Sequence, residues 1–237
     1  MTPSIPTIAK QPTASTKTPY QATRYLNGCA DIVLAWHNRL LEIKGTSKGK
    51  GDEQNDSEIN ESYAAFFRTA MSASDAAKLR RCQHMDDVAI QPAFIALWQQ
   101  LQPKLLDKQS QYQSQHQPTI SDNTFAAWLA IAWILAQVRT VDNHYYASRS
   151  DKGSSAKGSS AKEKGHPNTL AYVAGHKVDD RPLITPLRFE KLTAARDPDS
   201  FTTLLARLVA QLQQQGHALN VVWLANDIVH WFQDYQD

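Results

Sequence analysis

Phe201, Leu204, Leu205, Leu208, Val209 and Leu212 sit at offsets of 3, 4, 7, 8 and 11 residues from the first of them. Only an α-helix gathers all six onto one stripe, because its 3.6-residue turn returns each to the same side. The helix is bounded by its own signals. Asp197 can act as N-cap, Pro198 fits the first helical position, and Asp199 lies near the positive helix end. Gly216 suits the exit. The same pattern recurs through the chain, and no run of β-branched residues alternates with period two.

Tyr25, Cys29, Ile32, Trp36, Leu40 and Ile43 keep helical spacing and predict a first helix of about twenty residues. Tyr63, Phe66 and Phe67 begin a short second one. In "DAAKLRRCQHMDDVAIQPAFIALWQQL" (residues 75–101), Ser72 or Ser74 can cap a helix that carries Lys78, Arg80 and Arg81. Asp86 and Asp87 mark the next turn. Pro92 starts a helix whose Phe94, Leu97, Trp98 and Leu101 share a face. Residues 102–121 read as a polar connector. Ser121 and Asp122 open a helix through "FAAWLAIAWILAQV" (125–138), apolar on every side and so expected at the centre of the core. That stretch is too short to span a bilayer. Thr185 and Pro186 open a helix with Phe189 and Leu192. Asn220 can cap the last one, whose inner face holds Val221, Leu224, Ile228, Trp231, Phe232 and Tyr235.

The fold class that follows is all-α, a two-lobed bundle of about eight helices. Residues 1–20 are polar, lack the apolar centre of a signal peptide and read as a disordered arm. Residues 21–145 form the first helical lobe, and 183–237 the second. Between them, 146–182 contains GSSAK twice in tandem and reads as a flexible linker. A soluble, cytoplasmic protein is expected.

Chemistry is sparse. The two cysteines, Cys29 and Cys82, make no C-x-x-C pair and read as buried thiols. No H-x-x-x-H, Walker loop, G-x-G-x-x-G after a strand, or G-x-S-x-G occurs. Asp227 and His230 are three apart on the last helix, a pair that reads first as a solvent-facing helical contact. No catalytic residue, metal ligand or cofactor is expected. The six tryptophans fall in apolar helical patterns and read as core.

Cations remain. Net charge is only +2, so any nucleic-acid surface must come from placement. Lys78, Arg80 and Arg81 span roughly 160° of their helix. Arg188 and Lys191 are neighbours on theirs, Arg196 precedes Asp197, and Arg207 lies beside the Leu208 stripe. Taken alone, each group reads first as a solvated face, with phosphate binding second.

Two stretches resemble CasB, the small subunit of the type I-E CRISPR surveillance complex, Cascade. "KLRRCQHMDDVAIQPAFIALW" has that family's basic pair, acidic turn and proline–alanine–aromatic helix start. "LRFEKLTAARDPDSFTTLLARLVAQLQQQGHALNVVWLANDIVHWF" has its Arg-Phe helix, acidic break, leucine-rich helix with an embedded Arg, and final helix with a Trp. There are departures. "TLAY" stands where a Ser-Leu-Gly-Arg segment is frequent, so Tyr172 replaces a usual cation. Asn220 replaces a frequent Asp, and 44–61 and 146–168 look like insertions.

The resemblance implies a two-lobed, non-catalytic, all-α subunit, present as two copies beside the guide RNA among the other Cascade subunits. It implies backbone contacts to target and displaced DNA strands. Lys78, Arg80, Arg81, Arg188, Lys191, Arg196 and Arg207 would supply them, with Arg139 and Arg149 as weaker candidates. The rival readings are a free-standing helix-turn-helix regulator, a helical enzyme built on Asp227 and His230, and a helical scaffold that touches no nucleic acid.

Overall fold

A computed structural model describes residues 26, 28–42, 61–112, 119–141, 169–178 and 181–235. The polar arm at 1–20, most of the expected insertions, and Arg149 with the GSSAK repeat lie outside the described residues. The fold is all-α. The helices are α1 (Ala30–Glu42), α2 (Glu61–Ala70), α3 (Ala73–Arg81), α4 (Pro92–Tyr112), α5 (Asp122–Leu135), α6 (Leu170–Gly175), α7 (Pro186–Thr193), α8 (Pro198–Gln214) and α9 (Val221–Asp234). A 3-10 turn at Asp86–Val88 joins α3 to α4. Among the described residues, the extended structure is one short antiparallel ribbon, β1 (Lys177–Val178) and β2 (Arg181–Pro182), with Val178 opposite Arg181.

The helix starts are chemically local. Ser72, Ser121, Asp197 and Asn220 each accept a hydrogen bond from a backbone N–H of the first turn. Ser72 and Asp75 close a full capping box, which decides between Ser72 and Ser74. Gly216 adopts φ 78° at the exit of α8, a left-handed conformation that favours glycine.

Two boundaries differ from expectation. α1 begins at Ala30 rather than near Tyr25, because Gly28 at φ 77° breaks the helical path before it. α4 does not stop near residue 101 but runs through Pro103 to Tyr112. Pro103 removes one ladder donor. Its ring is exposed, where water can serve the freed carbonyl, and the run of Leu, Lys and Gln consists of good helix formers. Leu105, buried beyond the proline, adds a packing anchor.

α5 is the central element. Ala127 to Ala132, Ile134 and Leu135 are all buried, and the helix packs against α9, α8 and α4. α1 packs against α2, α4 and α9. Buried side chains from both sides of the 146–182 stretch therefore join one core cluster. Trp36 and Trp128 are its largest buried members, and truncating either to Ala would cost roughly 3–5 kcal/mol. The Trp36 indole N–H donates to the Ala93 carbonyl at 2.9 Å, pinning α1 to the start of α4. Asn123 donates to the Phe232 carbonyl at 2.8 Å and ties α5 to the end of α9. Part of the 146–182 stretch is structured: α6 buries Leu170, Val173 and Ala174.

Candidate nucleic-acid interface

α3 carries three cations in four residues, and the fold gives each a different task. Ala76 and Leu79 define its buried face. Lys78 points sideways and pairs with Asp75 at 3.8 Å. Asp75 is held below the ordinary carboxylate range, first by its hydrogen bonds from Ser72 and then by Lys78. Arg80 turns inward. Its Nε–H donates to the Ala136 carbonyl at 3.3 Å, and its Nη2–H to the Leu40 carbonyl. It thus serves two carbonyls at the C-terminal ends of α1 and α5, where the helix dipole concentrates negative charge. Arg81 lies on the far side of the helix from the core. It is exposed, with no ion pair or hydrogen-bonded side-chain partner among the described residues.

The end of α3 is held from the other direction. The Trp133 indole N–H donates to the Cys82 carbonyl at 3.0 Å, and Gln137 donates to the Arg80 carbonyl at 3.2 Å. Asp87 accepts from the backbone N–H groups of Gln83 and His84 and shapes the acidic turn. The exit of α3 and the exit of α5 are therefore one cross-linked unit.

Arg139 lies four residues beyond the end of α5. Its guanidinium is close enough to Arg80 to push the pKa of that group downward, behind the larger effect of Arg80's own burial. Its backbone N–H donates to Gln213 Oε1 on α8 at 2.6 Å. A parallel bridge between Val141 and Leu219 continues the connection to the start of α9. His37, fully buried on α1, meets this run with Nε2 at 3.3 Å from the Val138 carbonyl. Burial depresses its pKa to about 4, with a further push from Arg80, against the raising effect of hydrogen bonds to Val138 and Leu135. The imidazole is neutral at pH 7, so it carries no charge to the surface.

A second group of cations lies on α7 and α8. Arg188 donates from Nη1 to Gln211 Oε1 at 2.7 Å across the seam between the two helices. Gln211 is one turn beyond Arg207, so Arg188 and Arg207 share this stretch of surface. Arg207 projects opposite the buried stripe and is exposed, as is Lys191 one turn from Arg188. Arg196 stands apart, in the turn before α8 and next to the N-cap Asp197. The fold thus brings Arg139 close to Arg80 at the exits of α3 and α5, and sets Arg188 and Arg207 along the seam between α7 and α8.

Acids stand beside several of these cations: exposed Glu190 lies between Arg188 and Lys191, and Asp86 and Asp87 follow Arg81. Asp197 and Asp199 occupy the first turn of α8. Asp234 pairs with His230 at 3.2 Å, an i, i+4 contact the sequence reading did not name. Asp227 keeps solvent access, though crowding by the protein pushes its pKa up to about 6. Among the described residues, no group of three or more His, Cys, Asp or Glu side chains could hold a metal ion. Cys29 is buried and Cys82 half-buried, and burial raises the Cys82 thiol pKa away from reactivity. Trp36 and Trp128 are core, while Trp98, Trp133, Trp223 and Trp231 are half-buried. Tyr172 is exposed on α6.

Sequence reasoning missed Gln213, Gln211 and Arg39. Arg39 donates to the Met71 carbonyl at 3.0 Å and so secures the exit of α2. Nothing in the local pattern of these residues announces a partner far along the chain. Gln213 looks like one polar residue in a run of glutamines.

No helix among the described residues is long and apolar enough to cross a membrane. Searches of curated proteins and of solved structures return no match. A family model described as CRISPR-associated protein Cse2 matches residues 75–237, from the opening of α3 to the last residue, which includes every candidate cation. With this match over more than half its length, the chain belongs to the Cse2 family, the CasB family of type I-E Cascade, and is a CRISPR Cascade subunit whose partners are the other subunits of that complex.

Proposed function

We propose that this subunit is a non-catalytic clamp. It holds the sugar-phosphate backbone of the target and displaced DNA strands and so stabilises the R-loop. A second copy of the chain acts beside it in the complex, and no cofactor takes part. The observation that carries the reading is the pairing state of the cations. Arg81, Arg139, Arg188, Lys191, Arg196 and Arg207 are exposed, and none forms an ion pair among the described residues. Exposed cations without ion-pair partners supply positive groups at the surface of a chain of net charge only +2.

The energetics suit that role. R-loop formation exchanges a DNA duplex for a heteroduplex of similar stability, so a few backbone contacts can tip it. The guide reads sequence, and the protein needs only to read phosphate. Tethering within an assembly raises the effective concentration, so weak contacts suffice. Of the α3 cations, Arg81 is the direct contact in this proposal. Lys78 contributes what its pairing with Asp75 leaves, and Arg80 supports the site while adding charge to it.

The test is R-loop formation on a supercoiled target by the other Cascade subunits and guide RNA, with this chain added, omitted or replaced by Arg81→Ala/Arg207→Ala. The wild-type chain should stabilise the open strands. The double variant should weaken them on every target sequence and flatten the salt dependence by about two units, roughly one per phosphate contact. An unchanged salt slope would sink the clamp reading and leave the scaffold without nucleic-acid contact.

A further inference from the structure

Arg139 sits where a cation is hard to keep. It follows the end of α5 in a short run with no helix of its own, and the like charge of Arg80 opposes it. No carboxylate among the described residues pairs with either group. Left alone, this run would let Arg139 swing away from Arg80 and lose any fixed direction.

Gln213 opposes that. Its Oε1 accepts the backbone N–H groups of both Arg139 and Thr140, at 2.6 and 2.8 Å. Its Nε2 donates to the Thr140 carbonyl at 3.2 Å and to the His217 carbonyl at 2.9 Å. The last bond braces the side chain against the exit turn of α8, while the other three grip the Arg139 run. The Leu219 N–H adds a bond to the Thr140 carbonyl at 3.1 Å. A carboxamide is suited to this task because it accepts and donates at once without adding charge beside two arginines.

We infer that Gln213 is a positioning residue for the phosphate contact of Arg139, fixing the backbone from which that guanidinium is presented. The inference rests on the clamp reading and adds to it the residue that orients one of its contacts. A cation held in place before binding loses less conformational freedom when phosphate arrives.

The experiment compares wild type, Arg139→Ala, Gln213→Leu and the double variant in the assembled complex, reading R-loop stability against salt. Arg139→Ala should flatten the slope by about one unit. Gln213→Leu should remove most of the same unit, and the double variant should lose no more than Arg139→Ala alone. If Arg139→Ala leaves the slope unchanged, the clamp role of Arg139 fails, and the inference fails with it. If Arg139→Ala flattens the slope and Gln213→Leu does not, the positioning role alone is overturned.

Hydrogen exchange on the full chain separates positioning from general loosening. Gln213→Leu should expose the amides of Arg139 and Thr140 while those of Ile131 and Ile134 in α5 stay protected. Loss of protection across α5 would mark a core support and overturn the inference. Gln213→Ala removes the same four side-chain bonds from a half-buried helix position that alanine suits, and it decides the matter if Gln213→Leu does not fold. Full protection of the Arg139 and Thr140 amides in it would overturn the inference.

Discussion

Replacing Arg80 by alanine should act on stability, while the same change at Arg81 should act on DNA. Arg80→Ala removes two charge-assisted hydrogen bonds, to carbonyls at the ends of α1 and α5. Such bonds contribute roughly 1.5–3 kcal/mol each when well shielded. The guanidinium is only half-buried, so the low end applies, giving about 3 kcal/mol for the pair. Relief of the repulsion with Arg139 returns a few tenths, as expected for partly exposed charges. The net expectation is a loss of about 2–3 kcal/mol. In urea, with a slope of about 3 kcal/mol/M for a chain this size, the midpoint should fall by about 1 M. Arg81→Ala touches no partner and should stay within about 0.5 kcal/mol of wild type. Urea unfolding of the full chain, followed by circular dichroism, measures both. Equal midpoints for Arg80→Ala and wild type would refute the structural role of the two Arg80 bonds. So would an Arg81→Ala variant as destabilised as Arg80→Ala, since the two residues would then not be divided between structure and surface.

His37 should make the fold acid-sensitive. Its folded pKa lies near 4, below its ordinary value of 6.5, so the unfolded chain binds more protons between those limits and stability falls as pH drops through that window. The full span corresponds to about 3 kcal/mol, and His37→Gln should flatten this part of a pH–stability profile measured in urea. Asp227, shifted upward, acts with the opposite sign over an overlapping range, but solvent screens it, so Asp227→Asn should change the profile less than His37→Gln. Asn220→Ala should cost about 1–2 kcal/mol in the same assay, since one buried side chain serves the N–H groups of Val222 and Trp223. Deleting 153–162, a tandem GSSAK with no large apolar residue, should leave assembly with the other Cascade subunits intact on co-purification. Loss of assembly would make that stretch a docking element.

Helices were legible in the sequence because their causes are local. The 3.6-residue period in 201–212, the caps at Ser121, Asp197 and Asn220, and the exit at Gly216 each depend on neighbours a few residues away. The 125–136 stretch announced a central helix for the same reason, since its apolar residues cover every side of the helix. Where the local rules conflicted, at Pro103 and Gly28, the boundaries moved: burial of Leu105 outweighed the proline, and a left-handed glycine outweighed the upstream periodicity.

What each cation does was decided only by tertiary structure. Arg80 and Arg81 are adjacent and chemically identical, but a helix turns them about 100° apart. One then meets the open ends of α1 and α5 and the other meets water. Gln213 lies 74 residues from the Arg139 amide it holds, and no pattern within either segment encodes that meeting. A backbone carbonyl left open at a helix end looks the same in any sequence. Which side chain reaches it depends on how the helices pack, and packing is a property of the whole chain.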